Sequence, residues 1–543
     1  MSSILTSTIS SLDAIKILID NTSEKILNPK HRNVSERIAI ENNTNDDNAN
    51  AGVKIQKVYD NYNDFIEEEK RKTSERIENE ETKIEQYLKL ESLFVNKMNL
   101  FNNLINKLFS SIEENIVNKN QNVFNEEIER NLKNVIFELK DFNNKLTVLE
   151  YDIKSNISEK IKKANILINK IYDLNADIRY FPVKQVPNGI YKYIDERDQL
   201  VNELNDIIGV TVIKNNNSVE VRLNNGMCII NDNKKTNLIV LTSNTDDKYI
   251  SVGCWDDNEK KLKKIEHIIR SGSLGALFTF RREDLQNARN KLGQLTVNFA
   301  DSINEQHTLG YDIVGNLGEQ VFNISTPEII SSSNNKSYPF TSIKWMSTAN
   351  AKDTNYVVSM ENNRWIVKRL NDQTTFEPEI YQNSNNTYLT FDGMELKIEG
   401  NNNEGNMYMI KPYNKILDEL ELLVVKNTSF AFSSTDDISQ QNKNNAIKIY
   451  NLNKDKLVDK KETLGESYLK FLKSISYKCN DLEEKVPFKR QMLRILKDKK
   501  LSISDDINED YNKLSYEQKC YIANVKVLKM AESIFNDIIE CYS

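Results

Sequence analysis

The stretch SGSLGALFTFRREDLQNARN, Ser271 to Asn290, decides how the rest of the chain is read. Two glycines, Gly272 and Gly275, stand among small residues just before a helical pattern. Glycine-rich turns that feed helices often cradle phosphate, because free N–H groups and the helix dipole meet there. A P-loop needs GxxxxGK[ST], however, and a dinucleotide fingerprint needs GxGxxG. This stretch has GxxG alone, with no Lys and hydroxyl in the places a P-loop requires. Beyond the glycines, Leu285, Ala288, Leu292, Leu295, Phe299 and Ile303 step by three and four, which makes one packing face of a helix. Gly272 and Gly275 therefore read as structural turn residues that let the chain approach another backbone closely.

Around this helix the pattern changes character. GVTVIKNNNSVEVRLNNGMCII alternates apolar and polar residues, with turns at the Asn-rich run and at Asn224–Gly226, and so reads as β-hairpins. From about Pro327 to Pro412 the alternation returns in NYVVSMENNRWIVKRL and TYLTFDGMELKIEG, with turns at ENN and FDG. Upstream, no proline lies between Pro29 and Pro182, and apolar residues recur at three- and four-residue steps to about Asn175. That predicts long antiparallel helices after the polar stretch Glu41–Gly52.

The two ends mirror each other. Leu5, Leu12, Ile19 and Ile26 are spaced by seven, and so are Ile507, Leu514, Tyr521, Leu528 and Phe535. Such stripes are coiled-coil or helix-bundle signatures. Neither helix can hide its stripe alone, so the two are expected to pair with each other or with neighbouring subunits. The fold class is α+β and multidomain: paired terminal helices, an elongated helical bundle and an inserted antiparallel β domain. The expected divisions are 1–50 with 500–543 as the terminal-helix domain, and 51–325 completed by 413–499 as the bundle. The bundle carries a β-hairpin region at about 208–255, and 326–412 is the β-rich outer domain.

Composition excludes several functions. A chain of 543 residues is too long for one core. Its net charge of −7 argues against a general nucleic-acid coat. No apolar run approaches the ~18–20 residues that span a bilayer, so membrane insertion is not expected. The N-terminus lacks the basic region and cleavage site of a secretory signal peptide. Cys228, Cys254, Cys479, Cys520 and Cys541 show no CxxC spacing, which argues against a zinc site.

The remaining candidates for chemistry favour structural roles. His307 ends the long helix with no recognisable nucleophile elbow beside it, and reads as a helix-end residue helped by the dipole. Asp195, Arg197 and Asp198 read as an ion-paired helix face. YDIVGN, Tyr311–Asn316, lacks the dense acids and closing Glu of a calcium loop. Trp255, Trp345 and Trp365 lie in β patterns and read as half-buried strand residues. No catalytic, cofactor-binding or metal-binding residue is assigned.

Four segments carry a resemblance. MSSILTSTISSLDAIKILIDNTSEKI resembles the first helix of flagellar rod, hook and hook-associated proteins. YIDERDQLVNELNDIIGVTV resembles that family's helix, glycine, then strand. Gly272–Ile324 is similar to the most distinctive stretch of the flagellar hook-associated, hook–filament junction proteins, and Asn508–Ile539 resembles their last helix. The resemblance implies an axial structural protein without enzymatic activity or cofactor, whose terminal helices build an inner tube. It implies self-assembly in an annulus between the hook protein and a second hook–filament junction protein. It also implies type III export without a cleaved signal peptide, after a cytoplasmic export chaperone binds the C-terminal region. The alternatives are another axial (rod or hook) subunit and a cytoplasmic coiled-coil scaffold. The family's Asn-Thr-Pro-Gly-Tyr-like turn after the first helix keeps only Asn28 and Pro29 here.

Overall fold

The structure is a computed structural model. It describes residues 2–27, 37–44, 52–60, 64–117, 121–181, 189–215, 218–242, 250–256, 260–332, 335, 339–383, 386–400, 405–423, 430–437, 442–501 and 507–542. Asn28 and Pro29 lie outside these residues. In chain order the α-helices are α1 (Ser2–Leu27), α2 (Asp64–Val117), α3 (Gln121–Tyr180), α4 (Gly189–Ile208) and α5 (Gly272–Thr279). They continue with α6 (Gln286–His307), α7 (Ile416–Glu419), α8 (Asn444–Asn451), α9 (Leu464–Leu501) and α10 (Ile507–Tyr542). Long helices combine with several antiparallel sheets, as an α+β multidomain fold requires. The chain forms two compact units, one of residues 1–81, 157–276 and 484–543, the other of 82–156 and 277–483.

In the first unit, Arg37–Thr44 pairs antiparallel with Gly52–Asp60, with a bulge between Ile40 and Glu41. Both ends of the polar stretch Glu41–Gly52 thus stand in paired strands, and the long helices begin only at Asp64. The short alternations of RIAI and GVKI outweigh the helical steps here. Two three-stranded sheets follow, Val210–Asn215/Ser218–Leu223/Cys228–Ile230 and Leu238–Thr242/Ile250–Asp256/Lys261–Lys264. Two asparagines of α3 hold one strand of each. Asn165 Nδ2 donates to Leu238 O at 2.9 Å, and Leu238 N donates to Asn165 Oδ1 at 2.8 Å. Asn175 does the same for Val219, at 2.9 and 3.3 Å. Each amide matches a backbone N–H and C=O that would otherwise be buried without partners.

In the second unit, Phe94 gathers an aromatic cluster: Phe142 at 4.7 Å, Phe471 at 5.1 Å and Tyr468 at 5.7 Å between centroids. Tyr468 Oη donates to Phe94 O at 2.7 Å, so the hydroxyl keeps a partner in an apolar core. The six residues expected to form the packing face of α6 are all buried, but so are Lys291, Gln294, Thr296 and Asn298 on its other sides. The helix is enclosed nearly all round rather than on one face. Three of these polar residues reach partners: Lys291 Nζ donates to Gln294 Oε1, Gln294 Nε2 donates to Ala351 O at 2.6 Å, and Thr296 Oγ1 donates to Leu292 O at 2.8 Å, while the Asn298 amide is buried with no hydrogen-bond partner. A π-helical turn, Phe280–Leu285, precedes α6 and buries Phe280, Arg281, Asp284 and Leu285. The buried Asp284 accepts from Lys478 Nζ at 2.7 Å.

Residues 328–411 of this unit form two sheets. One has the order Glu328–Ser331, Met407–Lys411, Tyr356–Glu361, Arg364–Arg369, Thr375–Phe376. The other has the order Phe340–Trp345, Met394–Glu399, Asn386–Phe391, Glu379–Asn383. Tyr356, Val358, Trp365 and Val367 from the first meet Leu389, Met394, Leu396 and Ile398 from the second in one core. The ENN and FDG turns form tight hairpins, with φ of 50° and 58° at Asn362 and Asn363, and 41° and 76° at Asp392 and Gly393. Asp392 also accepts from Arg369 Nε and Nη2, at 2.7 and 2.6 Å, and from Tyr356 Oη at 3.0 Å. Trp365 is buried in the core, Trp345 is half-buried, and Trp255 in the first unit is 49% exposed.

Candidate assembly interface

The helix–glycine–strand segment and the GSLG segment meet in the first unit. Asn205, in the last turn of α4, accepts the Val210 N–H on its side chain at 3.1 Å, and its carbonyl accepts the Gly209 N–H at 2.8 Å. Gly209 then takes φ of +62°, which ends the helix and starts the strand. Gly272 takes φ of +65°, and a Cβ on it would lie 2.5 Å from Ile207 O. Asn79 Nδ2 donates to Gly272 O at 2.8 Å, and Asn224 Nδ2 donates to Ser271 Oγ at 2.6 Å. Every polar group of the corner named here is occupied by the protein itself.

Gly275 does not lie in that turn. It stands in α5, where its N–H reaches Ser271 O and a Cβ would lie 2.4 Å from the Arg270 carbonyl carbon. The need for close backbone approach is real, but helix formation starts at Gly272. Gly272→Ala adds a left-handed strain of about 1 kcal/mol to a direct backbone clash, for a total loss of about 3 kcal/mol. A thermal midpoint within a degree of the parent's would contradict this reading of the corner.

Carboxylates crowd beside the corner. Ser74 Oγ donates to Asp206 Oδ1 at 2.8 Å. Burial pushes the Asp206 carboxyl up to about 6; Ser74 and Asn205 oppose the rise, and Glu78 and Glu203 add to it. Burial likewise raises Glu75, against hydrogen bonds from Ser271 and Gly272. With its folded value above the ordinary 3.8, Asp206 gives its full stability below that pH and loses it as pH rises through about 6. Asp206→Asn is therefore expected to stabilise the chain by about 3 kcal/mol at pH 8 and by only about half a kcal/mol at pH 4. Urea midpoints at the two pH values check this, and an equal shift at both would contradict it.

The residues weighed for chemistry are held in structural bonds. His307 is buried; its Nδ1 lies 2.7 Å from Glu319 O, and its Nε2 accepts the Ala431 N–H at 3.0 Å. Nδ1 therefore carries the proton of a neutral ring, and burial holds the imidazole below its ordinary value. The helix dipole, which favours a cation, is outweighed by desolvation. Asp312 accepts from Val314 N and Asn316 N, each at 2.8 Å, so the YDIVGN carboxylate closes its own loop. Arg197 is buried, 3.1 Å from Asp198 Oδ1. Among the described residues, Cys228, Cys254, Cys479 and Cys520 form no disulfide. Among the described residues no helix is long and apolar enough to cross a membrane.

The terminal helices do come together, with α1 packed along α10. Leu12, Ile19 and Ile26 are half-buried, as are Leu514 and Leu528, while Tyr521 is 38% exposed. The side chains of Leu5, Ile507 and Phe535 lie outside the described residues. The buried positions are Thr8, Ala14 and Thr22 on α1, and Glu517 and Ala531 on α10. Thr22 and Ala531 flank the seven-residue stripes, whereas Thr8, Ala14 and Glu517 fall outside that reading.

That reading also misses a second apolar face. Tyr511 and Ile522 are 54% and 55% exposed, and Met530 is 60% exposed. At about 100° per residue, Tyr511 and Ile522 project opposite Ala531. A helix with apolar residues on several sides belongs where several sides are covered.

Comparison with known proteins fits this geometry. The model of the flagellar hook-associated protein FlgK helical domain matches residues 87–322, and that of the flagellar hook-associated protein 1 D2-like domain matches 330–412. Flagellar hook-associated protein 1 of Buchnera aphidicola subsp. Schizaphis graminum is 66% identical, over 100% of both chains. That of Salmonella typhimurium is 24% identical, over 99% of this chain and 100% of its own. The fold matches the flagellar hook junction protein FlgK of Burkholderia pseudomallei with a TM-score of 0.68 at 16% identity, over 80% of this chain and 100% of that one. The chain's two ends pair, an apolar face of α10 is left over, and the chain matches the Buchnera relative over its whole length: it belongs to the family of flagellar hook-associated protein 1 and is a structural component of the flagellum.

Proposed function

We propose that the chain forms the junction zone between hook and filament through assembly of its terminal helices, and that it catalyses nothing. The observation that carries this reading is the exposed apolar side of α10, represented by Tyr511, Ile522 and Met530. Covering each such side chain contributes ~1.5–3 kcal/mol. Ordering a helix costs ~1–2 kcal/mol per residue of backbone, so stable order needs several neighbours acting together. An annulus of copies supplies them. The proposed divisions are 1–50 with 500–543 as the tube element, 51–325 with 413–499 as the bundle, and 326–412 as the outer module.

In this reading the hook protein lies on one side of the annulus and a second junction protein on the other. The chain reaches that place through the type III export apparatus, with its C-terminal region held beforehand by an export chaperone. Sedimentation with purified hooks tests the assembly step. The full chain is expected in the pellet, and a version cut after Leu501 in the supernatant. A truncated chain that still pellets would remove α10 from the account.

A further inference from the structure

We propose that neighbouring copies join their outer modules edge to edge, with strand Glu379–Asn383 of one copy adding to strand Phe340–Trp345 of the next. The proposal rests on the reading that copies assemble side by side. These two strands are the opposite edges of the four-stranded sheet, and each pairs with one strand only among the described residues. Every residue of Glu379–Asn383 is exposed, including Ile380 at 49% and Tyr381 at 66%. Phe340 on the other edge is 67% exposed. An exposed edge with apolar side chains on both faces is a template for another strand.

The directions and faces fit. All pairings in the sheet are antiparallel, so across four strands the two edges run in opposite directions. The next copy's Phe340–Trp345 would therefore continue the antiparallel pattern. Ile380 lies opposite Leu389, and Ile343 opposite Leu396, so both isoleucines are on the core side of the sheet. Setting Tyr381 opposite Ser342 places Ile380 opposite Ile343 and Gln382 opposite Thr341 on that side. On the outer side the same register puts Glu379 opposite Lys344. A one-residue slip would set core-side residues against outer ones, and a two-residue slip would lose the charge pair. Lys344 already lies 2.8 Å from Glu395, with its side chain 60% exposed and able to serve a second carboxylate. Because two different edges meet, the contact is head-to-tail and propagates around a ring or helix instead of stopping at a dimer.

The test uses the full chain, expressed in a motile bacterium that lacks its own junction protein. Ser342→Cys and Tyr381→Cys are placed in one chain, and isolated hook particles are oxidised after export. The expected result is a ladder of dimers, trimers and larger species, seen neither with the single variants nor with the parent and its five native cysteines. Adding Glu379→Lys should shorten the ladder, and adding Lys344→Glu as well should restore it. A dimer formed by Tyr381→Cys alone would mean that the edge pairs with itself, which overturns the proposal. Particles that carry the chain but give no ladder would overturn the edge pairing and leave the assembly reading standing. Particles without the chain would overturn the assembly reading, and this proposal with it.

Discussion

Leu528→Asp leaves both compact units folded and removes the chain from the junction. Leu528 is half-buried beside the seam between α1 and α10, so a lone chain can turn the new carboxylate toward water. In an assembled annulus that exit closes. An unpaired charge held in an apolar seam costs several kcal/mol, repeated in every copy. Sedimentation with hooks should fall to background, while hydrogen exchange in α6 and in residues 328–411 stays at the parent's level. Normal pelleting of the variant would show that the seam does not drive assembly. Increased exchange throughout the chain would mean that Leu528 supports the fold itself.

Asp392→Ala acts in the opposite way, by loosening the β module from within. Asp392 holds Arg369 through both carboxylate oxygens and accepts the Tyr356 hydroxyl. Its removal leaves a guanidinium that is only 24% exposed without its partner, beside a buried phenol. Breaking such a pair costs about 3 kcal/mol or more, and Ala at a position with positive φ adds about 1 kcal/mol. Amides of Tyr356–Glu361 and Met394–Glu399 should exchange roughly a thousandfold faster, by the conversion of about 1.4 kcal/mol per factor of ten. Asp392→Asn, which keeps an acceptor and tolerates the turn, should fall between. Unchanged protection in Asp392→Ala would show that the ion pair contributes nothing to the module.

What the sequence made legible follows from the range of the forces involved. The packing face of α6 is a local period, and all six of its residues are buried. The ENN and FDG hairpins are local as well, because only a few residues tolerate positive φ. The pairing of Arg37–Thr44 with Gly52–Asp60 was hidden, since the polar run Glu41–Thr44 lacks the apolar alternation that marks a strand. The π turn at Phe280–Leu285 has no local signature in the residues that form it. The Arg369–Asp392–Tyr356 cluster joins positions far apart in the chain, which no periodicity connects. At the ends, the heptads identified the helices and their pairing, but the positions that become buried include Thr8, Ala14 and Glu517. Small and charged residues carry no apolar signal, and their burial appears only once the helices are packed.

The central claim is that α1 and α10 together place this chain between hook and filament. It is tested most directly in a motile bacterium lacking its own junction protein, supplied with the export chaperone that belongs to this chain. Immunogold electron microscopy then compares the full chain with a version cut after Leu501. Gold is expected at the hook tips with the full chain and none with the truncation. A full chain that is exported intact and never found at hook tips, or a truncated chain that labels them equally well, would contradict it.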